Sequence, residues 1–415
     1  MRLGRRTVLA GGAALAAMPR TLPAAPRSEP RLRSGLDRVL SEGLDQLRGQ
    51  RIAMLTHDAA VTAAGQRGVD AIAAVPGLTL ATLFAPEHGL SGAAAAGAKV
   101  ADLRDGRTGL PVFSLYGARR APEPAHLAGI DLLLIDLQDV GLRCYTYIGT
   151  ALAAIEAAAA AGVRVLILDR PNPLGGIAIE GPLVDDDKAF TTPVTALPVP
   201  YRHGWTLGEV TRWLTQSGFG GRIAVSKLDG WRRDMGTAIY APGALPFAAP
   251  SPNLRSPAAI LAYAATVLLE GTNLSEGRGS DAPFEQFGAP WVNAAALAKA
   301  MARARLPGVR FNPVSFLPAA SKHSGVLCHG LRLTVTDEAR FNGFATGTHL
   351  IAQLRQLHPE SFAFLPGTPP FFDLLAGRSW VRTALEEGVP GPAIASRADA
   401  EVSRWRTQSA MSRLY

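Results

Sequence analysis

The residues able to do chemistry in this 415-residue chain come in short runs, and each run follows an apolar stretch. His57-Asp58 follows the first stretch, Pro86-Glu87-His88-Gly89 the second, and Gln138-Asp139-Val140-Gly141-Leu142-Arg143 and Asp169-Arg170-Pro171-Asn172-Pro173 two later ones. Glu87, closing an apolar run in a tight turn, is placed to act as a general acid. His88 beside it could orient or share the proton, or merely bond to backbone. Asp136 and Asp139 flank Gln138, and Arg143 lies one turn further, so they serve either as an internal Asp–Arg tie or as substrate contacts. Tyr145 and Tyr147 offer a hydroxyl or a stacking face to a ligand, or simply pack. The prolines on both sides of Asn172 form a rigid mount that could present its amide.

The later half adds Ser251-Pro252-Asn253 and a run from Glu270-Gly271-Thr272-Asn273 through Glu276-Gly277-Arg278-Gly279-Ser280. Three glycines among acid, amide, hydroxyl and guanidinium groups make a poor core element but a good binding loop. Glu285 follows closely. His57, Asp58, Glu87, His88, Asp136 and Asp139 have ligand chemistry, so a metal-dependent hydrolase is one alternative. They form no compact motif such as His-Glu-x-x-His, and no metal is expected. No Gly-x-Gly-x-x-Gly or Walker-type loop occurs either, so no cofactor is expected.

The elements that must carry these runs follow from their periodicity. Apolar β-type runs are expected to be strands at Arg51 to Thr56, Leu80 to Ala85, Pro111 to Leu115, Asp131 to Leu137, Arg164 to Leu168 and Ile223 to Lys227. Helical patterns over Gly68 to Val75, Ile148 to Ala161 and Leu207 to Ser217 alternate with them, which is the pattern of βαβ units around a mostly parallel sheet. The reactive runs then converge at the carboxyl ends of the strands, where open α/β sheets bind ligands. Five prolines between Pro242 and Pro257 mark a boundary. Beyond it, helices at Ala258 to Leu269, Ala294 to Ala304 and Gly347 to Leu357 and a strand at Gly330 to Val335 predict a smaller α/β domain. The expected organisation is residues 30–245 followed by 246–415.

Residues 1–25 differ in kind. Arg5-Arg6 precede an apolar run from Val8 to Ala17, and small residues follow near Ala24-Ala25, the order of a twin-arginine-type export signal. A periplasmic protein is expected, with no membrane span, since no run reaches roughly 20 apolar residues. The formal net charge of +8 falls by the four charges of Arg2, Arg5, Arg6 and Arg20 when that segment is removed. The remaining basic residues are scattered, so nucleic acid is not an expected partner. Cys144 and Cys328 are the only cysteines, too few for a disulfide framework; they form one bond or remain buried thiols.

Taken in order, Phe84-Ala85-Pro86-Glu87-His88-Gly89, Asp136-Leu137-Gln138-Asp139-Val140-Gly141 into Arg143 and Tyr145-Thr146-Tyr147, Leu168-Asp169-Arg170-Pro171-Asn172-Pro173, Glu180-Gly181-Pro182, Pro250-Ser251-Pro252-Asn253 and Glu270 through Gly279 resemble the successive motifs of the NamZ-type exo-β-N-acetylmuramidases. The resemblance covers essentially the whole chain after the export segment. It implies a Rossmann-like domain meeting a smaller α/β domain across an active-site cleft. It also implies release of terminal, non-reducing N-acetylmuramic acid from peptidoglycan-derived glycans. Glu87 carries over as catalytic, with His88, Glu180 and Tyr147 as expected partners in catalysis. Asp136, Gln138, Asp139, Arg143, Tyr145, Asp169, Arg170, Asn172, Asn253, Asn273, Glu276 and Arg278 are the expected substrate contacts. A second carboxyl could come from Glu180, Glu276, Glu285, Asp136 or Asp139, or the sugar's own N-acetyl group could replace it. Arg143, Arg170 or Arg278 could pair with the lactyl carboxylate of muramic acid. Cys144 and Ser280 depart from the family pattern, where a bulkier apolar residue and a threonine are expected. A periplasmic glycan-binding protein with an inert cleft is the non-enzymatic alternative.

Overall fold

The computed structural model describes residues 31–185, 192–216 and 222–415; the expected export segment lies outside them. Seven strands form the first sheet: β1 Arg51–Thr56, β2 Thr79–Ala85, β3 Leu103–Arg104, β4 Pro111–Ser114, β5 Leu132–Asp136, β6 Arg164–Leu168 and β7 Ile223–Ser226. Their order is β3-β4-β2-β1-β5-β6-β7, and all neighbours pair in parallel except β3 with β4. All five residues of β5 are buried, as a central strand covered on both faces must be.

Alternation sorts the side chains of these strands into two separate cores. Ala53, Leu55, Leu133, Ile135, Val165 and Ile167 point to one face, where they meet Ala151, Ile155 and Ala158 of the helix Tyr147–Ala160. Ile52, Met54, Leu132, Leu134, Leu166 and Leu168 point to the other, against Leu36 and Val39 of Gly35–Glu42 and Val69 and Ile72 of Gly68–Ala73. Each Leu, Ile, Val or Met among them contributes about 1.5–3 kcal/mol by leaving water. Shifting β5 by one residue would exchange the two sets, so the register is held by packing.

The chain moves outward from β1 to β2 and β4, then returns to the centre to lay β5 on the other side of β1 and moves outward again. The reversal opens a crevice at the carboxyl ends of β1 and β5.

A second sheet consists of β8 Gln286–Ala289, β9 Val309–Phe316 and β10 Cys328–Val335, antiparallel in the order β8-β10-β9. Leu331 and Leu333 of β10 belong to the same continuous core as Leu133 and Ile135 of the large sheet. The helix Gly343–Leu357 starts four residues earlier than its periodicity predicts, because the Asn342 side chain accepts the Ala345 N–H and caps it. Its glycines have a packing reason: a Cβ on Gly343 or Gly347 would lie 2.7 Å from Ala264 or 2.3 Å from the Ala265 carbonyl, so only glycine admits the helix Pro257–Thr266 this close.

Strands β1 and β6 and the helix Ala294–Ala304 have the bounds that their patterns predict. Strands β3, β8 and β9 and the four helices at Phe371–Ala376, Ser379–Glu386, Gly391–Glu401 and Ser403–Ser409 were not among the expectations. β9 contains Pro313 and is largely exposed, an edge strand without the apolar run that announces a central one. Cys144 and Cys328 are both buried free thiols. Among the described residues no helix is long and apolar enough to cross a membrane.

Candidate active site

The crevice between β1 and β5 is closed by protein. His57, 1% exposed, accepts the Gln138 N–H at its Nε2 at 3.0 Å. A backbone N–H only donates, so the ring proton sits on Nδ1, which faces the Tyr147 hydroxyl at 3.3 Å. Tyr147 in turn donates to the Pro250 carbonyl at 3.0 Å, as Tyr145 does at 2.8 Å. Burial pushes the His57 pKa down to about 3, so the ring stays neutral and the chain of bonds keeps one polarity.

The open volume, about 360 Å³, is displaced from that crevice toward the loops after β2 and β4 and toward residues of the second half. Glu87, His88 and Gly97 come from the loop after β2, Tyr116 and Arg120 from the loop after β4, and Cys144, Tyr145 and Thr146 from the loop after β5. Ser251, Tyr263, Glu270, Arg278 and Phe284 close it from the other half of the chain.

The Glu87 carboxylate is 8% exposed and is held from both sides. One oxygen accepts the Gly97 N–H at 3.0 Å and the other the Thr146 hydroxyl at 2.7 Å. The chain turns immediately afterwards through His88 and Gly89, with φ of 70° and 74°. A left-handed histidine costs energy that a glycine would not, and here the imidazole restrains the turn through Nδ1, which donates to the Ala94 carbonyl at 2.8 Å. A proton on Nδ1 leaves Nε2 as an acceptor in the neutral ring, and burial lowers the His88 pKa, keeping it neutral. Tyr116 stands close enough that, after burial, the charge of Glu87 is the next cause raising its phenol pKa; Glu270 adds to it.

Glu270 is the second carboxyl of the cavity. Arg278 binds it through Nη2 at 2.9 Å and binds Glu276 through Nε at 3.0 Å, with the guanidinium 5.0 Å from the centre of the Phe284 ring. Lys322 reaches the other Glu276 oxygen at 2.9 Å while donating to the Leu269 and Thr272 carbonyls. Two acids and two bases thus compensate each other at the cavity wall. Burial raises the Glu270 pKa, and Arg278 opposes the rise.

Of the expected site residues, Glu87, His88, Tyr145 and Arg278 line the cavity. The others stand outside its lining, and most of them bond within the protein, although Asp139 Oδ1 and Arg143 Nε and Nη1 are buried without a hydrogen-bond partner among the described residues. Asp136 and Arg170 form a two-point ion pair of 2.6 and 3.0 Å between the ends of β5 and β6. Gln138 bridges the Asp139 and Pro171 carbonyls. Asp169 accepts Gly208 N–H and the Thr206 and Tyr415 hydroxyls. Asn172 braces its own loop between Leu174 and Trp205. Arg143 donates to the Leu375 carbonyl at 2.7 Å, and burial takes its pKa down to about 10. Asp139 binds the Gly141 N–H at 2.7 Å, and burial raises its pKa to about 7.

Glu180, expected in catalysis, stands outside the cavity lining: Arg202 pairs with it at 2.5 Å and Phe344 N–H donates to it at 3.1 Å, tying the two halves together. Tyr147 lies behind the cavity wall on His57 and Pro250. Asn273 is bound twice by segment 361–363, Glu276 sits behind Arg278, and Asn253 follows the cavity residue Ser251 without lining the space itself. Tyr116, Arg120, Thr146 and Glu270 are cavity residues that the motif reading did not select. The first two follow β4 just as Glu87 follows β2, so the same carboxyl-edge rule points to them.

Two family models cover the chain: the N-terminal domain of exo-β-N-acetylmuramidase NamZ matches residues 52–258 and its C-terminal domain residues 261–415. The peptidoglycan β-N-acetylmuramidase NamZ of Bacillus subtilis strain 168 is 42% identical over 361 residues, covering 87% of this chain and 86% of the relative. A crystal structure of a DUF1343-family protein from Bacteroides fragilis superposes with a TM-score of 0.85 at 30% identity, over 93% of this chain and 99% of that one. A second DUF1343-family structure from the same organism gives 0.72 at 28% identity, over 92% and 99%.

Proposed function

The chain belongs to the NamZ exo-β-N-acetylmuramidase family, and on that premise we propose that Glu87 is the general acid with which it cuts terminal, non-reducing N-acetylmuramic acid from peptidoglycan fragments. The protein is a glycoside hydrolase, an exo-β-N-acetylmuramidase. The observation that carries the assignment of Glu87 is its place: a carboxyl held at both oxygens, on the wall of a cavity of about 360 Å³ that also receives Glu270 and Arg278. That volume is near the lower end of small-ligand sites, roughly 300–1,000 Å³, and suits a single terminal sugar.

Glycoside cleavage proceeds through an oxocarbenium-like transition state in which the leaving oxygen gains a proton. Glu87 supplies it. The Thr146 hydroxyl, which donates to the carboxylate, can rotate to accept when Glu87 carries the proton, so the acid keeps its position in both states. Glu270 provides the negative charge that balances the sugar's developing positive charge, and Arg278 orients it. Of the three arginines considered for the lactyl carboxylate, only Arg278 lines the cavity, and its Nη1 is outside both ion pairs that hold the side chain.

The twin-arginine-type leader favours a periplasmic site of action, where peptidoglycan fragments are met; cell fractionation of the tagged full chain tests it. The reaction is tested by release of N-acetylmuramic acid from a chromogenic muramide, comparing wild type with folded Glu87→Gln. Equal rates would remove Glu87 from the mechanism, and no release by folded wild type would remove the substrate.

A further inference from the structure

A second depression of about 500 Å³ shares Tyr116, Arg120, Thr192 and Pro193 with the catalytic cavity and runs on from it along the helix Tyr147–Ala160. Gly149, Leu152, Ala153 and Glu156 form its floor. Spacings of three and four put them on one face of that helix, so the floor is a rigid surface. Its near edge is tight: a Cβ on Gly149 would lie 3.0 Å from the Pro193 carbonyl and 3.1 Å from Ala196. Further along, Ala153 is half-buried and small, which leaves the groove open, and Glu156 is exposed, with no ion pair among the described residues.

We propose that this groove binds the glycan on the leaving side of the scissile bond. The inference rests on the hydrolase reading above. An exo-acting enzyme holds one sugar in a closed cavity and must let the rest of the chain out next to its acid. Here the shared wall meets that requirement, because Tyr116 feels the Glu87 charge and Thr146, which holds Glu87, directly precedes the helix of the floor. Leu152, Ala153 and Pro193 suit the C–H faces of a sugar; Thr150, Thr192, Arg120 and Glu156 supply hydrogen bonds to its hydroxyl and acetamido groups. A stem peptide would branch from the lactyl group on C3, two ring positions away from C1, whose glycosidic oxygen Glu87 protonates. The groove starts at the Glu87 side, which favours the glycan.

The test compares kcat/KM for three peptide-free substrates, the methyl β-glycoside of N-acetylmuramic acid, its β-linked disaccharide with N-acetylglucosamine and a tetrasaccharide with the same non-reducing end, and for a fourth, the methyl glycoside carrying a stem peptide. Ala153→Trp fills the groove, and Ala153→Leu fills it partly with less strain on folding. Wild type is expected to prefer the tetrasaccharide over the methyl glycoside, and that preference should fall at least tenfold in Ala153→Trp and less in Ala153→Leu, through KM. An unchanged preference in both folded variants overturns the proposal. So does a loss seen only with a methyl glycoside carrying a stem peptide, which would make the groove a peptide site. Wild type inactive on every substrate would instead defeat the hydrolase reading, and the groove assignment with it.

Discussion

The loops after β2 and β4 and the loops after β1, β5 and β6 leave the same edge of the same sheet, yet they spend their polar groups differently. Behind the cavity, Asp136, Arg170, Asn172, Asp169 and His57 find their partners within the protein. At the cavity, Glu87, Tyr116, Arg120 and Arg278 face open space, with Glu87 and Arg278 held from behind. A buried polar group must be paired or it costs stability. The inner set therefore builds a rigid frame, and the outer set inherits fixed positions from it. The contrast predicts that the two sets respond differently to mutation: one loses activity with little loss of stability, the other the reverse.

The largest separation is expected at Glu87. Glu87→Gln keeps the size and both hydrogen-bonding oxygens' neighbours but removes the proton donor, so kcat on a muramide should fall about 10²–10⁴-fold, with the thermal midpoint close to wild type. Loss of the fold instead would move Glu87 into the frame. At Asp136 the opposite is expected. Asp136→Ala leaves Arg170 buried without its partner and should cost about 3–5 kcal/mol in denaturant unfolding, with kcat/KM per folded molecule nearly preserved. A stable but inactive Asp136→Ala would give the ion pair a direct part in the reaction.

A smaller effect is expected at Arg278, which belongs to both sides of the comparison. Arg278→Lys retains the charge but cannot hold Glu270 and Glu276 through separate nitrogens of one plane. Loss of about 1.5–3 kcal/mol of charged hydrogen bonding corresponds to roughly a 10–100-fold fall in kcat/KM. If Arg278 also meets the lactyl carboxylate, the preference for a muramide over the matching glucosaminide should narrow; an unchanged preference would leave it only the task of orienting Glu270.

The smallest expected effect is on pH dependence. Burial raises the Asp139 pKa to about 7, above its ordinary value of 3.8, so the folded state holds this proton more tightly than the unfolded chain. Its stabilising contribution is full below about pH 3.8 and is lost as pH rises through about 7. Asp139→Asn, which can still accept the Gly141 N–H, should therefore melt a few degrees above wild type at pH 8, with the difference narrowing at pH 5 and closing only below about pH 3.8. His203, 3.7 Å away and held neutral by burial with a pKa near 3, does not offset the charge. A constant difference across the pH range would remove Asp139 titration as its cause.

Much of the frame can be read from local pattern. The continuous apolar run of β5 and the helix after it follow from periodicity, because burial on both faces of a parallel strand demands apolar residues throughout. Helix Ala294–Ala304 is similarly plain, with an apolar stripe and Asn293 accepting the Ala296 N–H as its cap. β9 is not, since an exposed edge strand with a proline carries no such run. The candidate site was legible by residue type at Glu87, His88, Tyr145 and Arg278, while Glu270 belonged to a run already in view without standing out in it and Tyr116 lay in a loop that no motif marked.

By itself, then, the order of residues determined the class of sheet, the edge at which polar loops gather, the family and its chemistry. Which members of each motif face the cavity was decided only in three dimensions. Asp136 and Glu87 are both carboxylates at the carboxyl ends of apolar strands, one closing β5 and the other two residues past β2, and residue type alone does not say which is already paired. Asp136 meets Arg170, which lies 34 residues further along the chain, and disappears into the frame; Glu87 meets Gly97 and Thr146 and remains on an open wall. The physical reason is that a hydrogen-bonding partner distant in sequence decides whether a buried charge is already satisfied, and that partner is chosen by packing, not by local pattern.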